Sequence, residues 1–169
     1  MSAYLLDTSA IVAHLRREPG GARVQSLFED AAARIWVAAS SLLELDAAMR
    51  SKGVNPVRRE EIVSLYGGRI ADVAPVDCAA AMEAIRLCAS VSERIPAMDA
   101  LIAGCAMARK AVLVHRDPHY DAIPPELLRV LRLEETAPPG TSPDVRDIVK
   151  EPLPSYRTGH HRKKERKKT

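Results

Sequence analysis

Asp7, Glu44, Asp99 and Asp117 each fall beside an apolar run of this 169-residue chain, and no basic partner is expected to neutralise them. Tyr4-Leu5-Leu6 stops at Asp7-Thr8-Ser9, Glu44 follows Ser40-Ser41 at the start of an apolar stretch, Asp99 lies three residues past Pro96, and Ala111-Val112-Leu113-Val114 runs into His115-Arg116-Asp117. Four carboxylates gathered in one place repel one another unless a cation holds them. Mg²⁺ and Mn²⁺ take oxygen ligands, usually one or two carboxylates with waters and substrate phosphates, so an acidic set without His or Cys ligands favours those ions over Zn²⁺. With phosphate as a further ligand, the chemistry indicated is hydrolysis of a phosphodiester. Glu44 or Asp117 is the expected helper in deprotonating the attacking water.

The elements that must position these acids follow from apolar periodicity and helix punctuation. Strands are expected at 4–6, 35–38, 73–76, 111–114 and 130–133, and helices at 10–15, 22–33, 42–49, 56–66, 78–89 and 97–109. Gly20-Gly21 separates the first two helices, Pro56 takes the first position of the fourth, Gly67-Gly68 closes it, and Asp77 caps the fifth. Strands alternating with helices predict an α/β fold, a three-layer α/β/α sandwich with a central parallel sheet covered on both faces. In such a sheet the carboxyl ends of the strands and the starts of the following helices share one edge, where ligands bind. All four acids are expected there.

Each acid also has a plainer structural use. Asp99 would be favoured in a first helical turn by the macrodipole alone, and Asp117-Pro118 is a turn initiator. Ser41-x-x-Glu44 reads as a capping box, a role a metal-facing glutamate can share. Ser9 reads as the cap of the helix from Ala10, which leaves Asp7 without a structural job. Thr8, Ser9 and Asp121 are expected helpers, the hydroxyls by bonding a phosphate or a metal-bound water. His115, His119 and Tyr120 stand close to the last acid, where they could touch substrate or carry protons, though each is more often a surface residue, and Asp46 is expected to be solvated.

With 47% hydrophobic but only 4% aromatic residues, the core must be built of Ala, Leu, Ile and Val, as when helices cover a sheet. Cys78, Cys88 and Cys105 show no C-x-x-C spacing and read as small buried residues of a reducing cytosol. No run approaches the ~18 apolar residues of a membrane span, and no basic-then-apolar leader opens the chain, so a cytoplasmic protein is expected.

The division expected is a globular unit at 1–134, a Pro-rich linker at 135–156 and a basic tail at 157–169. The tail, with Arg157, Arg162, Lys163, Lys164, Arg166, Lys167 and Lys168 against one Glu, carries a formal +6. The whole chain is +3, so residues 1–156 are left at −3 and the basic character belongs to the tail. Such a tail attracts RNA phosphates without sequence choice. A solvated end with no role is its plainer reading.

At these residues the chain resembles the PIN domain family, metal-dependent ribonucleases that include the toxin half of many prokaryotic toxin–antitoxin pairs. The matching segments are Tyr4 to Ser9 (YLLDTS) with Ala10-Ile11-Val12, Ser41 to Glu44 (SLLE), Met98 to Cys105 (MDALIAGC) and Leu113 to Asp117 (LVHRD), spanning residues 3–133. The resemblance implies that Asp7, Glu44, Asp99 and Asp117 are the acidic active-site residues of a Mg²⁺- or Mn²⁺-dependent endoribonuclease. It further implies an RNA substrate, a small antitoxin partner and a homodimer. One departure is His115, where the family usually has a small hydroxyl residue two before the last acid. Two alternatives stay open: a nuclease of rRNA or tRNA maturation, and a non-catalytic RNA-binding protein of the same fold.

Overall fold

The computed structural model describes residues 2–134. The expected linker and basic tail lie outside the described residues. The apolar run at the amino terminus forms β1 (Ser2–Leu6), followed without a loop by α1 (Thr8–Leu15) and then α2 (Gly21–Glu29). Strand β2 (Ala33–Ala38) leads into α3 (Ala39–Ser51), and α4 (Pro56–Ser64) ends in a wide π-turn at Leu65–Arg69. Then come β3 (Asp72–Ala74), α5 (Cys78–Ser90), α6 (Ala97–Ala108), β4 (Val112–His115), a 3₁₀ turn at Pro118–Tyr120 and β5 (Val130–Arg132).

The five strands form one sheet in the order β3-β2-β1-β4-β5, every neighbouring pair parallel. Because side chains alternate along a strand, each strand feeds two cores. Leu5, Ala38, Ala74 and Leu113 pack on one face against Ala84 and Leu87 of α5 and Ile102 and Ala106 of α6. Leu6, Val37 and Val114 pack on the other face against Ile11, Val24, Leu45 and Ile62. Strands buried on both sides read as continuous apolar runs, and that is why their positions were visible in the sequence. Gly104 lets α5 and α6 cross closely, since a Cβ there would come within 2.2 Å of the Ala80 carbonyl oxygen.

The chain runs from β1 outward through β2 and β3, then returns to place β4 on the other side of β1. The crevice beyond the carboxyl ends of β1 and β4 is therefore the topological switch point, the place where open parallel sheets bind ligands.

Several boundaries differ from expectation. Helix α1 begins at Thr8, so Asp7 is its N-cap and accepts the Ser9 N–H, and Ser9 is not the cap. Helix α2 stops at Glu29 because Asp30 turns the chain, its side chain accepting the Ala32 N–H at 2.8 Å. Helix α3 starts directly from the last residue of β2, which puts Ser41 inside the helix and Glu44 in its second turn. No capping box forms. Cys105 is buried, but Cys78 and Cys88 lie exposed on α5. Among the described residues no helix is long and apolar enough to cross a membrane.

Candidate active site

Asp7 sits at the β1–α1 junction with only 4% of its surface exposed. Its Oδ2 accepts from Ser9 N at 2.9 Å and Ser9 Oγ at 2.5 Å, and its Oδ1 accepts from Tyr120 Oη at 3.1 Å. Its own N–H donates to the Val114 carbonyl at 3.0 Å, tying the end of β1 to the end of β4. Ser9 Oγ in turn accepts the Arg116 N–H at 2.9 Å. Capping, sheet pairing and the loop after β4 thus converge on one carboxylate.

Glu44 faces the same space from α3, and Thr8 Oγ1 donates to its Oε2 at 2.5 Å. Burial pushes the Glu44 carboxyl up, the Thr8 hydrogen bond pulls it back, and Asp7 and Asp117 add to the upward push. Asp99, in the first turn of α6, is pushed up to about 6 by burial, then by the charges of Asp117 and Asp7, against an opposing effect of His119. Asp117 caps the 3₁₀ turn, accepting the His119 N–H on Oδ1 at 2.9 Å. His119 Nδ1 lies 2.9 Å from that same oxygen and 2.9 Å from Asp99 Oδ2.

Asp7, Glu44, Asp99 and Asp117 line a single cleft of about 470 Å³, together with Thr8 and Ser9. The expectation that no base lies near is corrected in one respect. Arg116 also lines the cleft, its guanidinium paired with Glu18, which in turn pairs with Arg16 at 2.8 Å. The Arg116 charge is therefore already engaged, and burial and mutual repulsion still raise Asp99 and Glu44.

Asp121 is not brought to the cleft, because its carboxylate is held by Arg132. Asp46 is ion-paired with Arg59 at 2.5 Å, not simply solvated. His115 and Tyr120, expected at the surface, are both fully buried, their rings 5.0 Å apart at a T-shaped angle. His115 Nδ1 lies 2.9 Å from the Asp117 carbonyl oxygen, which can only accept, so the proton belongs on Nδ1. Nε2 is left without a partner among the described residues. Burial pulls the His115 imidazole down and keeps the ring neutral. Where a hydroxyl was expected, the imidazole braces the backbone of the last acid.

The presence of Glu18 and Arg116 at the cleft, and the contacts of Tyr120 with Asp7 and of His119 with Asp99 and Asp117, were not foreseen. Only the pairing of β1 with β4 and the tight 3₁₀ turn bring them to Asp7 and Asp99, and no local pattern announces such contacts.

Four carboxylates that repel one another, with one imidazole nitrogen against two of them, are the donor chemistry of a divalent-cation site. Asp99, Asp117 and His119 each offer a ligand atom, all within 4.8 Å of one another. The residues present fit such an ion.

The PIN domain pattern matches residues 4–124. No curated protein sequence matches the chain. Among solved structures the chain is similar to VapBC2 from Rickettsia felis bound to a promoter DNA fragment, at 19% identity and TM-score 0.63, covering 78% of this chain and 99% of that one. It is similar to DNA-bound VapBC from Salmonella typhimurium, at 22% identity and TM-score 0.62, covering 78% and 98%. FitAcB from Neisseria gonorrhoeae is 26% identical with TM-score 0.57, covering 76% and 96%. The first two likenesses bear on the fold.

Proposed function

The chain belongs to the PIN domain family, and from that premise we propose that it is a Mg²⁺- or Mn²⁺-dependent endoribonuclease, the toxin of a toxin–antitoxin pair. The observation that carries the reading is the convergence of Asp7, Glu44, Asp99 and Asp117 on one cleft at the switch point of the sheet. A divalent ion bound there supplies charge to orient the scissile phosphate, activate a water and stabilise the leaving oxygen. The chain's own groups prepare the place. Ser9 and Tyr120 fix the plane of the Asp7 carboxylate, Thr8 holds Glu44 toward the cleft, and the 3₁₀ turn aims Asp117. Glu44 or Asp117 is the carboxylate that would accept the water's proton.

The antitoxin reading draws on the likeness to VapBC and FitAB complexes, one of which is described as a member of a family of toxin–antitoxin systems. An antitoxin would bind over the acidic cleft, and a homodimer is the assembly that goes with it. We assign the nuclease unit to residues 1–134, with a linker at 135–156 and a tail at 157–169. The tail's formal +6 would draw RNA to the cleft in a strongly salt-dependent way. Three free cysteines, two of them exposed, suit a reducing cytoplasm.

The test is cleavage of a mixed RNA pool by the full chain with Mg²⁺ or Mn²⁺ and with EDTA, beside the Asp7→Asn variant. Metal-dependent cutting that disappears in the variant supports the reading. Tight RNA binding without cutting by either protein would favour a non-catalytic RNA-binding PIN protein instead.

A further inference from the structure

His119 is held against the acids by the backbone. Asp117 Oδ1 accepts the His119 N–H at 2.9 Å as the cap of the turn, and Pro118 between them fixes the first φ of that turn. This register folds the ring back so that Nδ1 lies 2.9 Å from Asp117 Oδ1 and 2.9 Å from Asp99 Oδ2. An exposed histidine with no task would be free to swing into solvent. This one, 50% exposed at the side chain, instead bridges two carboxylates from separate elements, α6 and the loop after β4.

The three ligand atoms lie within 4.8 Å of one another, close enough to face a single ion. The structure therefore does not present the purely oxygen donor set expected from the sequence. Resting on the metal-nuclease reading above, we propose that His119 is a nitrogen ligand of the resident ion and that it biases the site toward Mn²⁺ over Mg²⁺. Both ions prefer oxygen, but Mn²⁺, as a transition ion, accepts an imidazole nitrogen more readily than Mg²⁺, which is harder and keeps oxygen ligands and waters. To ligate, Nδ1 would have to be unprotonated with the ring proton carried on Nε2, and Asp99 Oδ2 and Asp117 Oδ1 would be its co-ligands.

Pulsed electron paramagnetic resonance of the full chain loaded with one equivalent of Mn²⁺ reads this directly, beside the His119→Gln variant and with Mn²⁺ and Mg²⁺ affinities measured by calorimetry. A ¹⁴N coupling in the wild type that is absent from the variant is expected. Mn²⁺ affinity should fall tenfold or more, roughly the scale set by lost metal-site interactions, while Mg²⁺ affinity changes little. Mn²⁺ bound without ¹⁴N coupling, or with coupling that persists in His119→Gln, overturns the ligand role and leaves the nuclease reading standing. Binding of Mg²⁺ but not Mn²⁺ overturns the ligand role alone, and binding of neither ion overturns both.

Discussion

Tyr120 Oη donates to Asp7 Oδ1 across 113 positions of sequence, and both residues are buried. Burial and the nearby charges of Asp7 and Asp99 keep the phenol protonated, so it serves only as a donor to the carboxylate at neutral pH. Tyr120→Phe keeps the ring packed on His115 and removes this one bond. Loss of a hydrogen bond to a charged acceptor is expected to cost about 1.5–3 kcal/mol. A lower denaturation midpoint and weaker Mn²⁺ binding are the expected readouts, and a variant equal to wild type in both would show that the bond does not orient Asp7.

The gathered acids should make the metal-free protein less stable than it could be. Asp99 is pushed up to about 6, so the folded state holds a proton there more readily than the unfolded chain does. Stability from this group is therefore fullest at low pH and falls as pH rises toward 6. Asp99→Asn escapes that cost, and its metal-free melting temperature should exceed that of wild type at pH 7.5, the difference shrinking as pH falls below 6. Its cleavage should be lost, a trade of activity for stability at a functional site. A variant that melts below wild type at pH 7.5 would contradict the electrostatic reading.

Thr8 is the counterweight at Glu44. Its hydroxyl pulls the Glu44 carboxyl down against burial and the charges of Asp7 and Asp117. Thr8→Val keeps the shape and removes the donor, so Glu44 should hold its proton to higher pH. The acid limb of the cleavage pH profile is expected to move upward. An unchanged limb would mean that Glu44 is not among the groups whose ionisation limits the reaction.

Gly104 sets how closely α5 approaches α6 and hence where the first turn of α6 carries Asp99. With a Cβ placed 2.2 Å from the Ala80 carbonyl oxygen and 2.9 Å from Ala84 N, Gly104→Ala forces the helices apart. The expected cost is about 1–3 kcal/mol, typical of overpacking, seen as a lower thermal midpoint by circular dichroism. No change would mean that the crossing relaxes freely.

The strands were legible because a strand buried on both faces reads as an unbroken apolar run, as Tyr4 to Leu6 and Val112 to Val114 do. The four acids were legible because Asp7 and Asp117 follow apolar strand runs and Glu44 and Asp99 fall early in apolar helices. The start of α3 was not, because β2 passes into it with no loop, and Ser40 and Ser41, which resemble cap residues, are buried within the helix with Oγ atoms lacking partners among the described residues. The same lack of a loop after β1 hid the capping role of Asp7 behind Ser9. Contacts between distant segments, such as Tyr120 with Asp7 and Arg116 with Glu18, depend on the β1–β4 pairing, which leaves no trace in local sequence.

The central claim is that Asp7, Glu44, Asp99 and Asp117 together hold a divalent ion. A crystal of the full chain soaked in Mn²⁺ and measured for anomalous scattering tests it most directly. A peak in the cleft within coordination distance of these carboxylates, lost in an Asp7→Asn crystal treated alike, is the expected result. Anomalous density confined to other surfaces, or none at all with the cleft open to solvent, would contradict it.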